Sequence, residues 1–149
     1  MLASEGLIDN NGIRTRVLLA DDQPLVRAQV ERVLGETCKV VGAVGDGRGL
    51  LEAAARLDPD VIVSDITMPG IEGFEALRRL KSAGCRSRFL FLTVHEDPDY
   101  VREALSLGAD AYVVKSRLAS DLLGAIREAL AGRTFVSPTA RDEAGRRTS

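Results

Sequence analysis

The chain has 149 residues, of which 45% are hydrophobic and 28% are charged, and its formal net charge is −2. This composition is that of ordinary globular domains and excludes disorder of the whole chain, and the length fits one domain with short tails. The balanced charge does not point to nucleic acid or a membrane surface as a partner. Two cysteines and one histidine almost exclude a structural zinc site, and no apolar run approaches the ~18 residues of a membrane span.

The two ends of the chain differ from its middle. Residues 1–15 mix polar and apolar types around the loop-forming run Asn10-Asn11-Gly12, so we expect a flexible leader there. The segment from Pro138 to Ser149 has little to bury, and we expect residues 133–149 to be a linker or C-terminal tail. The folded domain is therefore predicted to span residues 16–132.

Between these ends, short apolar runs alternate with longer amphipathic ones. The short runs are apolar at successive positions and rich in β-branched and aromatic residues, a pattern typical of strands covered on both faces of a parallel sheet. In chain order the predicted strands are Val17–Ala20, Val40–Ala43, Val61–Ser64, Phe89–Leu92 and Ala111–Val114.

The longer runs repeat apolar residues at helical spacing. Two such stripes are Val26, Val30, Val33 and Leu34, and Leu118, Leu122, Ile126 and Leu130. Pro24 and Pro98 stand where a first helical turn begins, with Asp97 as a cap before Pro98. Gly35 and Gly108 follow amphipathic segments and can end them. Five strand–helix units in order predict an α/β fold with right-handed crossovers.

Functional groups in open parallel sheets gather beyond the carboxyl ends of the strands. Four of the five predicted strands are followed there by polar residues, which in chain order are Asp21, Asp22, Asp65, Thr93 and Lys115. Each residue alone would be interpreted as a cap, a turn residue or a solvated side chain. Their joint occurrence on one side of the sheet indicates a functional site.

The residue types restrict the chemistry of this site. Neighbouring carboxylates repel each other, by roughly 4 kcal/mol for a unit pair at 4 Å and an effective dielectric of 20. A hard divalent cation relieves that repulsion, and Mg²⁺ suits a site made of oxygens that keeps several waters. Asp65 then has one oxygen near the metal and one that can attack phosphorus, while Lys115 and Thr93 contact other phosphoryl oxygens. The residues thus predict phosphoryl transfer to a carboxylate.

The motifs around these residues resemble the response-regulator receiver family of two-component systems. They are Leu18-Leu19-Ala20-Asp21-Asp22-Gln23-Pro24, Val63-Ser64-Asp65-Ile66-Thr67-Met68-Pro69-Gly70-Ile71-Glu72-Gly73, Leu92-Thr93 and Gly108-Ala109-Asp110-Ala111-Tyr112-Val113-Val114-Lys115. The resemblance covers residues 16–132. It implies a flavodoxin-like (βα)5 doubly wound parallel sheet with the strand order 2-1-3-4-5.

The resemblance also implies a phosphoacceptor and a metal site. Asp65 matches the phosphoacceptor and is itself a metal ligand. Asp22 matches a direct ligand of Mg²⁺, and Asp21 matches a ligand that acts through water. The backbone carbonyl of Thr67 completes the set, and Mn²⁺ is an alternative ion.

The remaining matches concern the switch. Thr93, Lys115 and Tyr112 match the phosphate-binding and switch residues, and Thr67 and His95 occupy positions at which the family tunes dephosphorylation. An exposed loop histidine is the alternative interpretation of His95. On phosphorylation we expect Thr93 to move toward the phosphoryl group and Tyr112 to turn inward, which changes the surface of the fourth helix, fifth strand and fifth helix.

One position departs from the family pattern. Ser116 follows Lys115 where many receivers have a proline after a cis bond. A cis bond before a residue other than proline costs roughly 2.5–4 kcal/mol, so we expect a trans bond here.

Finer similarities point to the NarL/LuxR subfamily, in which a helix-turn-helix output domain follows the receiver. They lie in His95-Glu96-Asp97-Pro98 and in Gly132-Arg133-Thr134-Phe135-Val136-Ser137-Pro138. Too few residues follow Pro138 for such a domain. We therefore expect either the receiver of a transcription regulator or a stand-alone receiver.

The resemblance implies partners and a location. A sensor histidine kinase is the expected phosphodonor, and a second copy of the chain is a further candidate partner. DNA would be bound through an output domain absent from this chain, and no membrane partner is expected. The N-terminus lacks a signal pattern, which favours the cytoplasm. We expect no enzymatic activity beyond the chain's own phosphorylation and dephosphorylation.

Three other functions share part of this residue pattern. Haloacid-dehalogenase-like phosphatases carry a second aspartate as general acid where this chain has Thr67, which cannot do that work. A flavodoxin-like carrier needs a hydroxyl-rich phosphate loop, and Asp21 and Asp22 would repel the flavin phosphate there. A phosphorylation-independent interaction module stays open, although degenerate receivers usually lack part of the acidic set or the lysine.

Overall fold

The structure, a computed structural model, describes residues 6–138 and residue 140. Strands and helices alternate along the chain. The strands are β1 Thr15–Ala20, β2 Cys38–Val44, β3 Val61–Ser64, β4 Arg88–Thr93, β5 Ala111–Val114 and β6 Phe135–Val136. The helices are α1 Pro24–Leu34, α2 Gly47–Leu57, α3 Gly73–Ser82, α4 Pro98–Ser106 and α5 Leu118–Leu130, and a 3₁₀ turn at Lys115–Arg117 precedes α5.

The strands form one parallel sheet in the order β2-β1-β3-β4-β5-β6. Its first five strands confirm the predicted flavodoxin-like order. Ala20 pairs with Ser64, and Thr93 pairs with Val114, each at the last residue of its strand. The carboxyl ends of the strands therefore meet at one edge of the sheet.

Both faces of the sheet are buried. On β1, Val17 and Leu19 pack with α1 and α5, whereas Leu18 and Ala20 pack with α2, α3 and α4. All four side chains are fully buried. This is the arrangement that the continuous apolar runs predicted, because each face of the strand needs an apolar side chain.

The predicted helix boundaries are confirmed where local chemistry sets them. Pro24 and Pro98 open α1 and α4, since proline needs no hydrogen-bond acceptor in a first turn. The Asp97 carboxylate accepts a hydrogen bond from the Asp99 N–H at 2.8 Å and so caps α4. Gly35 ends α1 with a φ of +51°, a backbone conformation that glycine adopts without strain.

The structure differs from the expected leader at Leu7, which packs into the core, whereas Gly6 and residues 8–14 are exposed. Leu7 is 1% exposed and joins the core beneath α1 and α5. The Thr15 N–H donates to the Leu7 carbonyl at 2.8 Å, and Ile8 and Arg14 form an antiparallel bridge. A single buried leucine among polar residues has no periodicity, so the sequence carried no signal for it. Residues 1–5 lie outside the described residues.

The expected C-terminal tail also differs. Phe135–Val136 adds β6 beside β5, and Ser137 and Ala140 are fully buried. A strand of two residues is too short to show an apolar pattern, which is why the domain extends beyond the predicted boundary at residue 132. Thr139 and residues 141–149 lie outside the described residues.

Candidate functional site

The sheet places the predicted polar residues beyond its strand ends. The Asp21 N–H donates to the Val44 carbonyl at 3.0 Å, and the Asp65 N–H donates to the Ala20 carbonyl at 2.9 Å. Both aspartates are thus held by backbone hydrogen bonds that continue the sheet for one residue. Thr93 is the last residue of β4, and Lys115 directly follows β5.

Three carboxylates converge at this edge. Asp21, Asp22 and Asp65 each offer an oxygen that lies within 4.8 Å of the others. Asp21 and Asp65 are buried, with 1% and 7% of their surface exposed, and Asp22 is exposed. Unit charges at such a separation repel by roughly 3–4 kcal/mol at an effective dielectric of 20, so the cluster requires compensating positive charge.

The ammonium of Lys115 supplies part of that charge. Its Nζ lies 2.9 Å from Asp65 Oδ2 and 2.9 Å from Asp21 Oδ2, and it donates to Gln23 Oε1 at 3.1 Å. Burial lowers the pKa of Lys115, but the two carboxylates outweigh burial and hold that pKa above its usual value. Burial raises the pKa of Asp21 in spite of the neighbouring Lys115 ammonium. The lysine is therefore charged at neutral pH.

The oxygen atoms that remain fit a hard cation. Asp21 Oδ2 is buried and accepts no aligned hydrogen bond from any described residue, although Lys115 Nζ lies 2.9 Å away. Asp21 Oδ1 accepts from the Gln23 N–H at 2.8 Å, and Asp65 Oδ1 accepts from the Ile66 N–H at 2.7 Å. One ammonium cannot neutralise three carboxylates, and a donor set made of carboxylate oxygens is the set that Mg²⁺ prefers.

Two glycines bring the loop after β3 close to its neighbours. A Cβ on Gly73 would lie 2.4 Å from the Asp65 carbonyl oxygen, and the Gly73 N–H donates to the Ile66 carbonyl at 2.7 Å. A Cβ on Gly47 would lie 2.1 Å from the Ile71 carbonyl oxygen. Only glycine has room at either position, so α3 begins directly against the backbone of Asp65.

The predicted switch residues Thr93 and Tyr112 are fully buried and both bind His95. Thr93 Oγ1 accepts from the His95 N–H at 3.2 Å, and the Tyr112 hydroxyl donates to the His95 carbonyl at 2.7 Å. Burial raises the pKa of Tyr112, which keeps the phenol protonated as a donor. The ring of Tyr112 lies inside the fold, where its hydroxyl has an acceptor and its ring has apolar neighbours, and its movement on phosphorylation stays a prediction.

Thr67 and His95 meet between the loops that follow β3 and β4. Thr67 Oγ1 lies 3.2 Å from His95 Nε2, and the imidazole ring also contacts the ring of Tyr100, with 4.3 Å between centroids. His95 is therefore not an isolated loop histidine. It links the loop that follows Asp65 to α4.

Two further polar side chains, to which the sequence motifs assigned no role, contact the site. Besides Gln23, which binds Lys115, Arg27 donates from Nη1 to the Asp21 carbonyl at 2.6 Å. Both lie at the start of α1, directly after the aspartate pair, and that adjacency is the signal that could have found them. The bond between Lys115 and Ser116 is trans, as predicted.

A family model for the response regulator receiver domain matches residues 17–127. The chain belongs to the response-regulator receiver family. Receiver domains bind Mg²⁺ at an acidic pocket, and the cluster of Asp21, Asp22 and Asp65 is such a pocket. The receiver fold and the subfamily resemblance are both confirmed, since the relatives are NarL/LuxR-type response regulators.

Two curated relatives show the level of similarity. The receiver is 38% identical over 127 residues to the uncharacterized transcriptional regulatory protein YxjL of Bacillus subtilis, covering 84% of this chain and 58% of the relative. It is 36% identical over 123 residues to the nitrate/nitrite response regulator protein NarL of Escherichia coli, covering 81% and 57%. The chain thus spans less than two thirds of the length of these relatives.

Solved structures agree in fold. A LuxR-family two-component response regulator from Aurantimonas sp. superposes with a TM-score of 0.85 at 32% identity, covering 90% of this chain and 97% of that one. The signal receiver domain of the putative response regulator NarL from Mycobacterium tuberculosis superposes with a TM-score of 0.76 at 32% identity, covering 80% and 98%. Within the described part of the receiver, no helix combines the length and apolarity needed to cross a bilayer.

Proposed function

We propose that this receiver is phosphorylated on Asp65 by a histidine kinase in the presence of Mg²⁺, and that the phosphoryl group switches a protein-interaction surface. One observation carries the proposal. Asp65 Oδ2 lies 2.9 Å from Lys115 Nζ, in a pocket where the oxygens of Asp21 and Asp22 lie within 4.8 Å. A carboxylate so placed has a cation on one side and a metal-binding oxygen set on the other.

The chemistry is a displacement at phosphorus. An Asp65 oxygen forms the new O–P bond while the N–P bond of a phosphohistidine donor breaks, which leaves an aspartyl phosphate and a histidine that takes up a proton. The Lys115 ammonium moves from Asp65 to a phosphoryl oxygen, and the Thr93 hydroxyl donates to another. Asp22, Asp65 and the Thr67 carbonyl would hold Mg²⁺, or Mn²⁺ in its place, with Asp21 acting through water, and the bound ion would supply charge neutralisation.

The switch begins at Thr93. Its Oγ1 accepts a hydrogen bond from the His95 N–H, and the His95 carbonyl accepts one from the Tyr112 hydroxyl. Rotation of Thr93 toward a phosphoryl oxygen releases the His95 N–H and so shifts the loop that leads into α4. Shifting the equilibrium between the inactive and the active conformation of the receiver from 1:99 to 99:1 takes roughly 5.5 kcal/mol. A few charge-assisted hydrogen bonds can supply that free energy.

Thr67 and His95 stand where they can control dephosphorylation. Thr67 is two residues from the phosphoacceptor, and its side chain lies 3.2 Å from the His95 ring. We infer that the pair regulates the approach of water to the aspartyl phosphate.

The decisive experiment is mass spectrometry after treatment with acetyl phosphate and Mg²⁺. The wild-type protein should gain the mass of one phosphoryl group, and Asp65→Asn should gain none. Glu52→Gln, a surface carboxylate variant with 73% side-chain exposure at the native residue, is the matched control and should be modified like the wild type. Wild-type modification of the Asp65→Asn protein would rule out the assignment.

We further propose that the receiver acts within a longer, cytoplasmic transcription regulator that binds DNA through an output domain. The support is the naming of its relatives as transcriptional regulators and the share of their length that this chain spans. A solved complex of the two-component response regulator RcsB with DNA is also similar in fold, with a TM-score of 0.81 at 25% identity. The test is DNA binding by the product of the full reading frame, with and without phosphorylation, together with its monomer–dimer equilibrium.

A phosphorylation-independent interaction module is the second candidate. The observation that favours it is Tyr112, whose fully buried ring is held in place by a hydrogen bond from its hydroxyl to the His95 carbonyl at 2.7 Å. This candidate predicts that partner binding is the same for Asp65→Asn and the wild type. If phosphorylation of Asp65 controls the interaction, partner binding by the wild type and by Asp65→Asn should differ once acetyl phosphate and Mg²⁺ are added.

A further inference from the structure

The segment after α5 is hydrogen-bonded to the strand that carries the switch tyrosine. β6 pairs with β5, and the Ser137 N–H donates to the Tyr112 carbonyl at 2.9 Å. The Val114 N–H donates to Ser137 Oγ at 3.1 Å. Val114 directly precedes Lys115, so Ser137 holds the backbone of the switch tyrosine and the backbone next to the phosphate-binding lysine.

A buried carboxylate on α5 completes this set of contacts, and we call the hydrogen-bonded group of Val114, Arg117, Asp121 and Ser137 the Asp121–Ser137 junction. Asp121 on α5 is 6% exposed, and its Oδ2 accepts from the Ser137 hydroxyl at 2.8 Å. Arg117 donates to both oxygens of Asp121, at 2.8 and 3.1 Å. Arg117 belongs to the 3₁₀ turn that begins at Lys115. The lysine's own turn, α5 and the C-terminal segment are therefore joined through one carboxylate.

The Ser137 hydroxyl makes a hydrogen bond both as a donor and as an acceptor within the junction. The Ser137 hydroxyl donates to Asp121 and accepts from Val114, while the residue is fully buried. A buried network of this kind restricts its members to one arrangement, because each lost bond leaves a buried polar group unpaired.

We propose that the Asp121–Ser137 junction couples phosphorylation of Asp65 to the chain segment that follows α5, with Ser137 as a positioning residue for Lys115. The inference rests on the proposed function, because the coupled event is occupation of the Asp65 site by a phosphoryl group. A phosphoryl oxygen needs Lys115 in one place, and the junction restricts the turn that carries it. Occupation of the site therefore favours docked β6, and docked β6 favours occupation by the same factor.

The experiment uses the whole chain with Mg²⁺ and beryllium fluoride, a phosphoryl mimic. Amide hydrogen exchange over residues 133–137 should slow when the mimic binds. Ser137→Ala should abolish that slowing and weaken affinity for the mimic about 2- to 10-fold, the range expected for loss of one buried hydrogen bond. Ser106→Ala, which removes an exposed hydroxyl that donates to the Glu103 carbonyl at the end of α4, is the control and should change neither quantity.

A second variant separates coupling from folding. Asp121→Asn keeps a side-chain oxygen for Ser137 and removes the charge that Arg117 binds, and it should weaken affinity for the mimic in the same direction. Unchanged exchange in the wild type, or wild-type affinity in both variants, would overturn the coupling while leaving the phosphorylation site intact. Failure of the wild-type protein to bind the mimic would overturn the proposed function and the coupling with it.

Discussion

At the residue scale, the site holds three carboxylates with one ammonium among them. Lys115 contacts Asp21 and Asp65, whereas the exposed Asp22 adds negative charge on the open side of the cluster. This excess of negative charge is what a divalent cation or a metal-bound phosphoryl group requires. The same charge destabilises the metal-free fold, so stability and function are opposed here.

The first prediction concerns that opposition. Asp22→Asn should raise the free energy of unfolding in EDTA by about 1 kcal/mol, because it removes a partly solvated repulsion. The same variant should gain less stability than the wild type when Mg²⁺ is added, since one ligand is lost. Urea denaturation in EDTA and in Mg²⁺ measures both effects, with Glu52→Gln as the control. A variant less stable than the wild type in EDTA would contradict the repulsion.

The second prediction concerns pH and Asp121. Burial raises the pKa of this carboxyl, but the hydrogen bonds from Arg117 and Ser137 outweigh it and hold the pKa below its usual value. A folded-state pKa below the unfolded value of about 3.9 gives stability that is fully present above that value. It is lost as the pH falls through the folded-state pKa.

Asp121→Asn should therefore lower the free energy of unfolding by roughly 2 kcal/mol at neutral pH, which is the contribution of hydrogen bonds to a charged group. The difference in free energy of unfolding between this variant and the wild type should become smaller below about pH 4. Urea unfolding of both proteins across this range checks it. A difference that stays constant down to about pH 3 would show that the charge of Asp121 is not involved.

At the element scale, the strand ends and the helix starts determine the site together. β1 and β3 carry the aspartates to one edge, and α3 begins against Asp65 because Gly73 has no side chain. The loop after β3 is held from the other side by the close approach of Gly47 to Ile71. The position of the phosphoacceptor thus depends on packing between elements and not on its own strand alone.

The third prediction tests that packing. Gly73→Ala should lower the free energy of unfolding by about 1–3 kcal/mol, the cost of overpacking, because the new Cβ meets the Asp65 carbonyl oxygen. It should also slow modification by acetyl phosphate, since the Asp65 backbone must shift. Gly124→Ala on α5, where a Cβ meets open space apart from an arginine terminus 3.8 Å away, is the control. That control should stabilise the protein by about 0.5–1 kcal/mol through helix propensity. Equal stability changes in the two variants would contradict the prediction.

At the scale of the whole molecule, the described residues before β1 and after α5 contribute to the domain. Leu7 fills a place in the core beneath α1 and α5, and β6 extends the sheet past β5. The described residues that follow α5, through β6 and Ser137, therefore lie beside the strand that bears Tyr112.

The fourth prediction tests whether the N-terminal segment contributes to the domain. Leu7→Ala should lower the free energy of unfolding by about 2–5 kcal/mol, because it removes a fully buried side chain and leaves a cavity. Ile13→Ala, at a position 60% exposed, is the control in the same segment and should change little. Thermal and urea unfolding of the whole chain measure both. An effect of Leu7→Ala no larger than that of Ile13→Ala would show that the segment does not stabilise the domain.

Sequence alone determined the five strand–helix units and the edge at which Asp21, Asp65 and Lys115 meet. The reason is that apolar periodicity, prolines and caps act over a few residues, and a parallel topology carries every strand end to the same edge.

Only the tertiary structure decided how these residues are paired. Gln23 and Lys115 are 92 residues apart, and Thr67 and His95 are 28 apart. Contacts over such distances depend on side-chain packing that no local pattern encodes. No local pattern encodes the inward position of Tyr112 or the hydrogen bond between Ser137 and Asp121 either. Each contact gives a partner to a polar group that becomes buried only when the helices pack against the sheet.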